Sequence, residues 1–337
     1  MRENSVELVD IRKKYSWTGF GYFMFMAAAE GSSILLARLI MGHAEQIRGN
    51  SWLVYLLGLA PLWVIGFPIC YLVIRNVPVQ KPEEHEVKPK FIFQFYLMAA
   101  FFMMAGNITG SILTFVINKT TGIVIPNTTI EMVQKQELLP SLAFTVLIAP
   151  FFEELTFRKL LIDRLGQYSK KYTIILSGLM FGLFHTNLHQ FFYATLLGML
   201  FAYIYTISGK LRYTVILHMT VNFIHGIIPM IIVKNLNLEE LQAVSGLDPM
   251  DPEAQQMIFK LYTNPAFLLF LIYMGLFFIA IVAGVILFAL HHSQMKVDDR
   301  ESPLDKKTAF PTIYINIGMI LYIIGTLGVT IYEIIRG

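Results

Sequence analysis

Long stretches without any charged side chain constrain this sequence more than any other feature. An α-helix needs about 20 apolar residues to cross about 30 Å of hydrocarbon. Six stretches of that length contain no Asp, Glu, Lys or Arg: residues 51–74, 91–118, 172–209, 213–233, 261–295 and 308–332. Only 15% of all residues are charged, whereas soluble domains contain roughly 25%. This composition excludes a soluble enzyme and predicts a protein that crosses the bilayer many times.

The number of spans follows from the lengths of these stretches. Residues 172–209 would form a helix of about 57 Å, so we expect a break near 186–190 that divides them into two spans. Residues 17–43 and 138–165 are further apolar segments of sufficient length. The sequence therefore predicts an all-α, polytopic membrane protein with about nine transmembrane helices, or eight, in a single domain covering 1–337.

Lysine and arginine alternate in number along the chain, which predicts its orientation. Cytoplasmic loops of membrane proteins carry an excess of both residues. Nineteen of them lie in segments 1–16, 75–90, 158–171, 209–212 and 291–310, and six lie in the alternate segments. We therefore place the amino terminus in the cytoplasm and the carboxyl terminus outside, most simply in the plasma membrane. The acidic loop 234–265 is then extracytoplasmic, and the net charge of +3 gives no reason to expect a nucleic-acid partner.

Ionisable side chains within the spans are candidate functional groups, because burying a charge in a bilayer costs about 2.5–3.5 kcal/mol. Glu153, Glu154 and Arg158 lie together in the fourth span. Residues four apart share a helix face, so Arg158 is expected to pair with Glu154. Glu153 points elsewhere and has no partner on its own helix. An unpaired carboxyl in apolar surroundings can exchange protons near neutrality, as a general base must.

Two later spans place further polar groups at a similar depth. His185 follows the basic loop by about 20 Å of helix, and His218 and Asn222 share a face of the next block, at about 9 and 15 Å. Together with Glu153 they are expected to meet near the middle of the membrane. We expect the four side chains to face one wet pocket that is reachable from the cytosol.

Other polar residues in the spans have simpler interpretations. His185 and His189 have a spacing that suits a metal, but the expected turn would separate them. His225 is expected to make a structural polar contact, and Glu30 and Arg38 to pair with other helices.

Three short motifs resemble those of a known family. They are Glu153-Glu154-Leu-Thr-Phe-Arg158, Phe181-Gly-Leu-Phe-His185 and His218-Met-Thr-Val-Asn222. In this order they resemble the CAAX-protease and bacteriocin-processing (CPBP, or Abi) family of intramembrane endopeptidases. The resemblance covers about 138–234, the expected catalytic core.

The resemblance implies hydrolysis of a peptide bond in a peptide or protein substrate at the membrane. Glu153 and His185 would activate water, while His218 and Asn222 would stabilise the oxyanion. Glu154 and Arg158 would support the site. Two histidines and a glutamate (Glu153, His185 and His218) could also ligate a zinc ion, and a metal-free mechanism is equally open.

Two other functions are compatible with the sequence. A catalytically silent scaffold of the same fold would bind a partner protein. A proton-coupled transporter would use the buried carboxylate as its proton site, although the sequence contains no inverted repeat.

Overall fold

The computed structural model describes residues 2–123, 125, 136–236, 250–300 and 302–336, and all regular secondary structure in these ranges is helical. The helices are α1 (Arg2–Leu39), α2 (Ala44–Arg48), α3 (Ser51–Ile74), α4 (Pro89–Thr121), α5 (Leu138–Leu165), α6 (Lys170–Phe184), α7 (Leu188–Ser208), α8 (Leu211–Asn235), α9 (Pro252–Thr263), α10 (Pro265–His291), α11 (Ala309–Ile313) and α12 (Ile317–Arg336). A short 3₁₀ turn, Met41–His43, precedes α2.

Eight of the described helices are long and apolar enough to cross a membrane. The expected ninth, α6, has 15 residues and is about 22 Å long. It runs antiparallel to α7 and forms a hairpin with it. The predicted class, an all-α polytopic membrane protein, is confirmed, with eight full spans and one shorter helix in the described part of the chain.

The break between α6 and α7 falls at His185–Asn187, so it overlaps the expected turn but is shorter. Thr186 has a φ of 45°, in the left-handed region, and reverses the chain direction. The side chain of Asn187 accepts hydrogen bonds from the backbone of His189 and Gln190, which starts α7 at Leu188. An effective N-cap therefore begins the second helix earlier than hydropathy alone indicates.

Two boundaries differ from the apolar stretches that predicted them. The last span starts at Ile317 rather than near residue 308, because Asn316 accepts a hydrogen bond from the backbone N–H of Met319 at the start of α12. The Asn316 amide also donates to the Thr312 and Ile313 carbonyls at the end of the short helix α11. Residues 261–295 contain the end of α9 as well as α10. Asp251 caps α9 by accepting from the Glu253 N–H, as its Asp-Pro sequence predicts. Residues 237–249 of the expected outer loop lie outside the described residues.

Buried tyrosines connect the terminal helices to the centre of the bundle. The Tyr22 hydroxyl on α1 donates to the Thr156 carbonyl at 2.6 Å, and the Tyr322 hydroxyl on α12 donates to the Met180 carbonyl at 2.7 Å. Both rings are almost fully buried and contact each other edge to face. The helices outside the 138–234 core thereby brace α5 and α6.

The linker between α3 and α4 is held at the Lys/Arg-rich end of the bundle. Glu86 accepts hydrogen bonds from Lys210, Tyr213 and Arg212, the last at 2.7 Å. These contacts lower the pKa of Glu86 to about 2, and the hydrogen bond from the Lys210 ammonium has the largest effect. The carboxylate therefore stays ionised under physiological conditions.

The hairpin of α6 and α7 depends on a close approach at glycine. A Cβ atom on Gly178 would lie 2.7 Å from the Thr195 carbonyl oxygen, and one on Gly198 would lie 2.9 Å from the Gly178 Cα. Small residues at such contacts let membrane helices pack backbone to backbone.

We expect Gly178→Ala to lower the stability of the protein by about 1–3 kcal/mol, because the added methyl group would overpack the hairpin. The melting temperature of the purified protein in detergent measures this. Gly275→Ala is the control, since nothing lies within 4 Å of its Cβ position. Equal melting temperatures for the two variants would contradict the close contact.

Candidate active site

A buried ion pair lies at the centre of the motif region. Arg158 Nε is 3.0 Å from Glu154 Oε2, its Nη2 donates to Oε1 at 3.2 Å, and both side chains are fully buried. Nη1 of the guanidinium donates to Ser177 Oγ on α6, and the guanidinium lies over the ring of Phe181. The i,i+4 pair expected from the spacing is present, and it also joins α5 to α6.

His218 completes this cluster from α8. Its Nδ1 lies 2.9 Å from Glu154 Oε1, which accepts the hydrogen bond of the imidazole. Its Nε2 points the other way and lies 3.6 Å from Glu153 Oε2. Glu154 therefore fixes the orientation of His218 and directs the free ring nitrogen toward Glu153.

The two adjacent glutamates have different surroundings, as residues one apart on a helix must. Glu154 has no exposed side-chain surface, whereas 14% of the Glu153 side chain is exposed. Glu153 faces a cavity and Glu154 lies behind it. The carboxyl group without a partner on its own helix is therefore the one in contact with the cavity.

His185 is held by the last turn of α6. Its Nδ1 lies 2.8 Å from the Phe181 carbonyl oxygen, so this nitrogen donates its hydrogen to the backbone. The Phe181 ring contacts the rings of both His185 and His218 edge to face. The Nε2 atom of His185 is left as an acceptor next to the cavity.

Asn222 is placed by an irregular turn of α5. Residues Leu142–Ile148 form a π-helical turn, in which the Ala149 N–H bonds to the Phe144 carbonyl. Pro150 has no N–H to donate. The Thr145 carbonyl therefore lacks a helical donor, and Asn222 Nδ2 donates to it at 2.8 Å. An amide nitrogen carries two hydrogens, so one remains for the cavity.

A cavity of about 610 Å³ brings together the four residues expected to converge, Glu153, His185, His218 and Asn222. Its size is within the range of about 300–1,000 Å³ that is typical of ligand sites. Its other polar lining residues are Tyr55, Asn107, Ser111, Gln136, Ser141, Thr145, His189, Gln190, Tyr193 and His225.

Several of these lining residues were not anticipated from the sequence. Asn107 and Ser111 are four apart within the apolar helix α4, and that spacing was the available signal. Tyr193 on α7 approaches α4 because Gly106 has no side chain: a Cβ there would lie 2.3 Å from the Tyr193 Cα. No sequence pattern identifies this contact.

The other polar residues of the spans, His225, Glu30 and Arg38, differ in whether they line the cavity. His225 makes the expected structural contacts, with its Nε2 3.3 Å from the Tyr96 hydroxyl and its Nδ1 3.1 Å from the Tyr273 hydroxyl. Glu30 and Arg38 do not line the cavity, and neither forms an ion pair with another described residue. The expectation that these two pair with other helices is therefore not met in the described part of the chain.

No group of three or more His, Cys, Asp or Glu side chains among the described residues is arranged to hold a metal ion. Zinc ligation by Glu153, His185 and His218 stays a prediction.

Residues 135–224 match the family model described as type II CAAX prenyl endopeptidase Rce1-like. The matched residues include the four cavity side chains, and the match supports the resemblance of this segment to the CAAX-protease (CPBP) family of membrane-embedded endopeptidases. A family member acts on a peptide or protein substrate within a membrane. Comparisons with curated proteins and with solved structures give no match.

We expect Arg158→Met to destabilise the protein by about 3–5 kcal/mol, because it leaves Glu154 buried without a counter-charge. The melting temperature in detergent measures the loss. Arg300→Met is the control, since Arg300 pairs with Asp298 on the exposed surface and its removal should leave the melting temperature unchanged. Similar melting temperatures for both variants would exclude a central role for the buried pair.

Proposed function

We propose that the protein is an intramembrane endopeptidase of the CAAX-protease type, which hydrolyses a peptide bond with water activated by Glu153. The observation that carries the proposal is the cavity-facing Glu153 carboxylate, 3.6 Å from the free nitrogen of His218. A water molecule held near this carboxylate has a base within reach.

Glu153 and His185 together are suited to orient and deprotonate the attacking water. His185 gives its Nδ1 hydrogen to the Phe181 carbonyl, so its Nε2 can accept a hydrogen bond from the water. Glu153 takes the proton as the water oxygen attacks the carbonyl carbon. The same proton then passes from Glu153 to the leaving amine, so the base acts as the acid in the second half of the reaction.

The tetrahedral intermediate carries an oxyanion that needs donors already in place. Asn222 has a second amide hydrogen that is free of its bond to Thr145. His218, when protonated, donates from Nε2, and its positive charge is stabilised by Glu154 at Nδ1. Each donor of this kind contributes about 3–4 kcal/mol in a site that excludes bulk water.

Glu154 and Arg158 are positioning residues in this scheme. Neither lines the cavity, and both act through His218 and the α5–α6 contact. The eight apolar helices support a multi-pass membrane protein, and the Lys/Arg distribution supports a cytoplasmic amino terminus and a carboxyl terminus outside. We propose the plasma membrane as its location.

We expect Glu153→Gln and His185→Asn to lower peptide cleavage by about 10²–10⁴-fold, the usual contribution of a general base. Purified protein in proteoliposomes, assayed with a mixture of internally quenched peptides, provides the rate. Glu30→Gln is the control, because it removes a carboxyl group from a span without touching the cavity.

Full cleavage by both site variants would contradict the proposed function. A biological phenotype that survives both substitutions would instead favour the non-catalytic scaffold.

We expect Pro150→Ala to lower kcat by up to about 10²-fold with little change in KM, because the new N–H competes for the carbonyl that orients Asn222. The same cleavage assay measures both constants. Pro68→Ala is the matched control, since Pro68 lies in α3 and away from the cavity. An unchanged kcat in the Pro150 variant would show that the irregular turn does not position Asn222.

A further inference from the structure

The active-site cavity reaches only one end of the helix bundle. It extends from Glu153 and His218 to Ser111 on α4 and to Gln136, which precedes α5. The cavity begins near the middle of the helices that line it. From there it extends to the end of the bundle that carries the loops following α1, α4 and α8. Among the residues that the structure describes, none from the loops at the other end lines the cavity.

The other end of the bundle is closed by the linker between α3 and α4. The backbone N–H of Gln80 donates to the Asp163 carbonyl at 2.6 Å, and that of His85 donates to the Ser208 carbonyl at 2.8 Å. The linker therefore crosses the ends of α5 and α7. A separate cavity of about 380 Å³ at this end shares no lining residue with the active-site cavity.

Buried side chains also separate the active-site cavity from the closed end. Arg158, Phe157 and Phe201 have no exposed surface, and Leu217 is almost fully buried. Beyond them, the Tyr205 hydroxyl donates to the buried carboxylate of Asp163 at 2.7 Å. A substrate cannot pass through this layer without unpacking it.

The two ends of the helix bundle differ in their number of Lys and Arg residues, and this difference predicts the orientation of the bundle in the membrane. Nineteen of the 26 Lys and Arg residues belong to segments of the closed end, and six belong to segments of the open end. The positive-inside rule places the closed end in the cytoplasm. The pocket then opens away from the cytosol, contrary to the access expected from the sequence.

We infer that the active site is entered from the extracytoplasmic side, and that its substrates are peptide segments exposed there rather than cytosolic carboxyl-terminal tails. The substrate part of this inference rests on the proposed function, whereas the direction of access rests on the cavity and the charge distribution. Asn107, Ser111 and Gln136 offer hydrogen-bonding groups to an extended backbone, and Met103 and Met230 offer apolar contacts to its side chains.

Thiol labelling of sealed right-side-out vesicles tests the direction of access without relying on catalysis. Cys70 is the only cysteine and is fully buried, so the natural chain provides an unreactive background. Ser111→Cys should react with a charged, membrane-impermeant maleimide added outside. Lys306→Cys, in a Lys/Arg-rich loop, should react only after the vesicles are permeabilised.

Ile112→Cys is the matched control for depth. Ile112 adjoins Ser111 on α4 but is 59% exposed on a surface away from the cavity. It should stay unlabelled in lipid. The inference is overturned if Ser111→Cys reacts only after permeabilisation, if it does not react at all, or if Lys306→Cys reacts in sealed vesicles.

A second arm separates this inference from the proposed function. Internally quenched peptides added outside right-side-out vesicles should be cleaved, and inverted vesicles should leave them intact. Cleavage by inverted vesicles alone would overturn the direction of access. Absence of cleavage in both orientations, with the expected labelling, would contradict the proposed function and the substrate class while leaving the direction of access supported.

Discussion

The buried contact between Glu154, Arg158 and His218 is the interaction on which the rest of the site depends. A carboxylate and a guanidinium without solvent contact are stable only when each is paired and hydrogen-bonded. Here Glu154 accepts from Arg158 on its own helix and from His218 on α8, while Arg158 also donates to Ser177 on α6. The requirement to neutralise one buried charge thereby fixes three helices relative to one another.

Irregular helical turns give these helices their functional geometry. Widened turns at Leu142–Ile148 and Leu155–Leu160 flank the segment Ala149–Glu154 that contains Glu153, and a third at Phe223–Ile227 directly follows Asn222. Such π-type turns are frequent at functional sites because they free backbone groups and redirect side chains. Pro150 makes one such carbonyl available, and Asn222 takes it.

The sequence predicts the architecture well because length, hydropathy and charge alternation report on the bilayer directly. It also predicts the Glu154–Arg158 pair, since i,i+4 spacing fixes a shared helix face. The sequence could not predict that Asn222 donates to the Thr145 carbonyl. This hydrogen bond depends on a local change from an α-helical to a π-helical turn in α5. Nor does depth along separate helices indicate which end of the bundle the linker closes, so the expected access from the cytosol stays a prediction that our inference opposes.

A double-mutant cycle between Glu154 and His218 tests the central claim most directly. Glu154→Gln, His218→Gln and the double variant would be compared in the rate of peptide cleavage. If Glu154 acts by holding His218, the double variant loses little more activity than the more severe single variant, with a coupling energy of about 1–3 kcal/mol. Losses that simply add would contradict the claim that the buried pair orients the His218 imidazole.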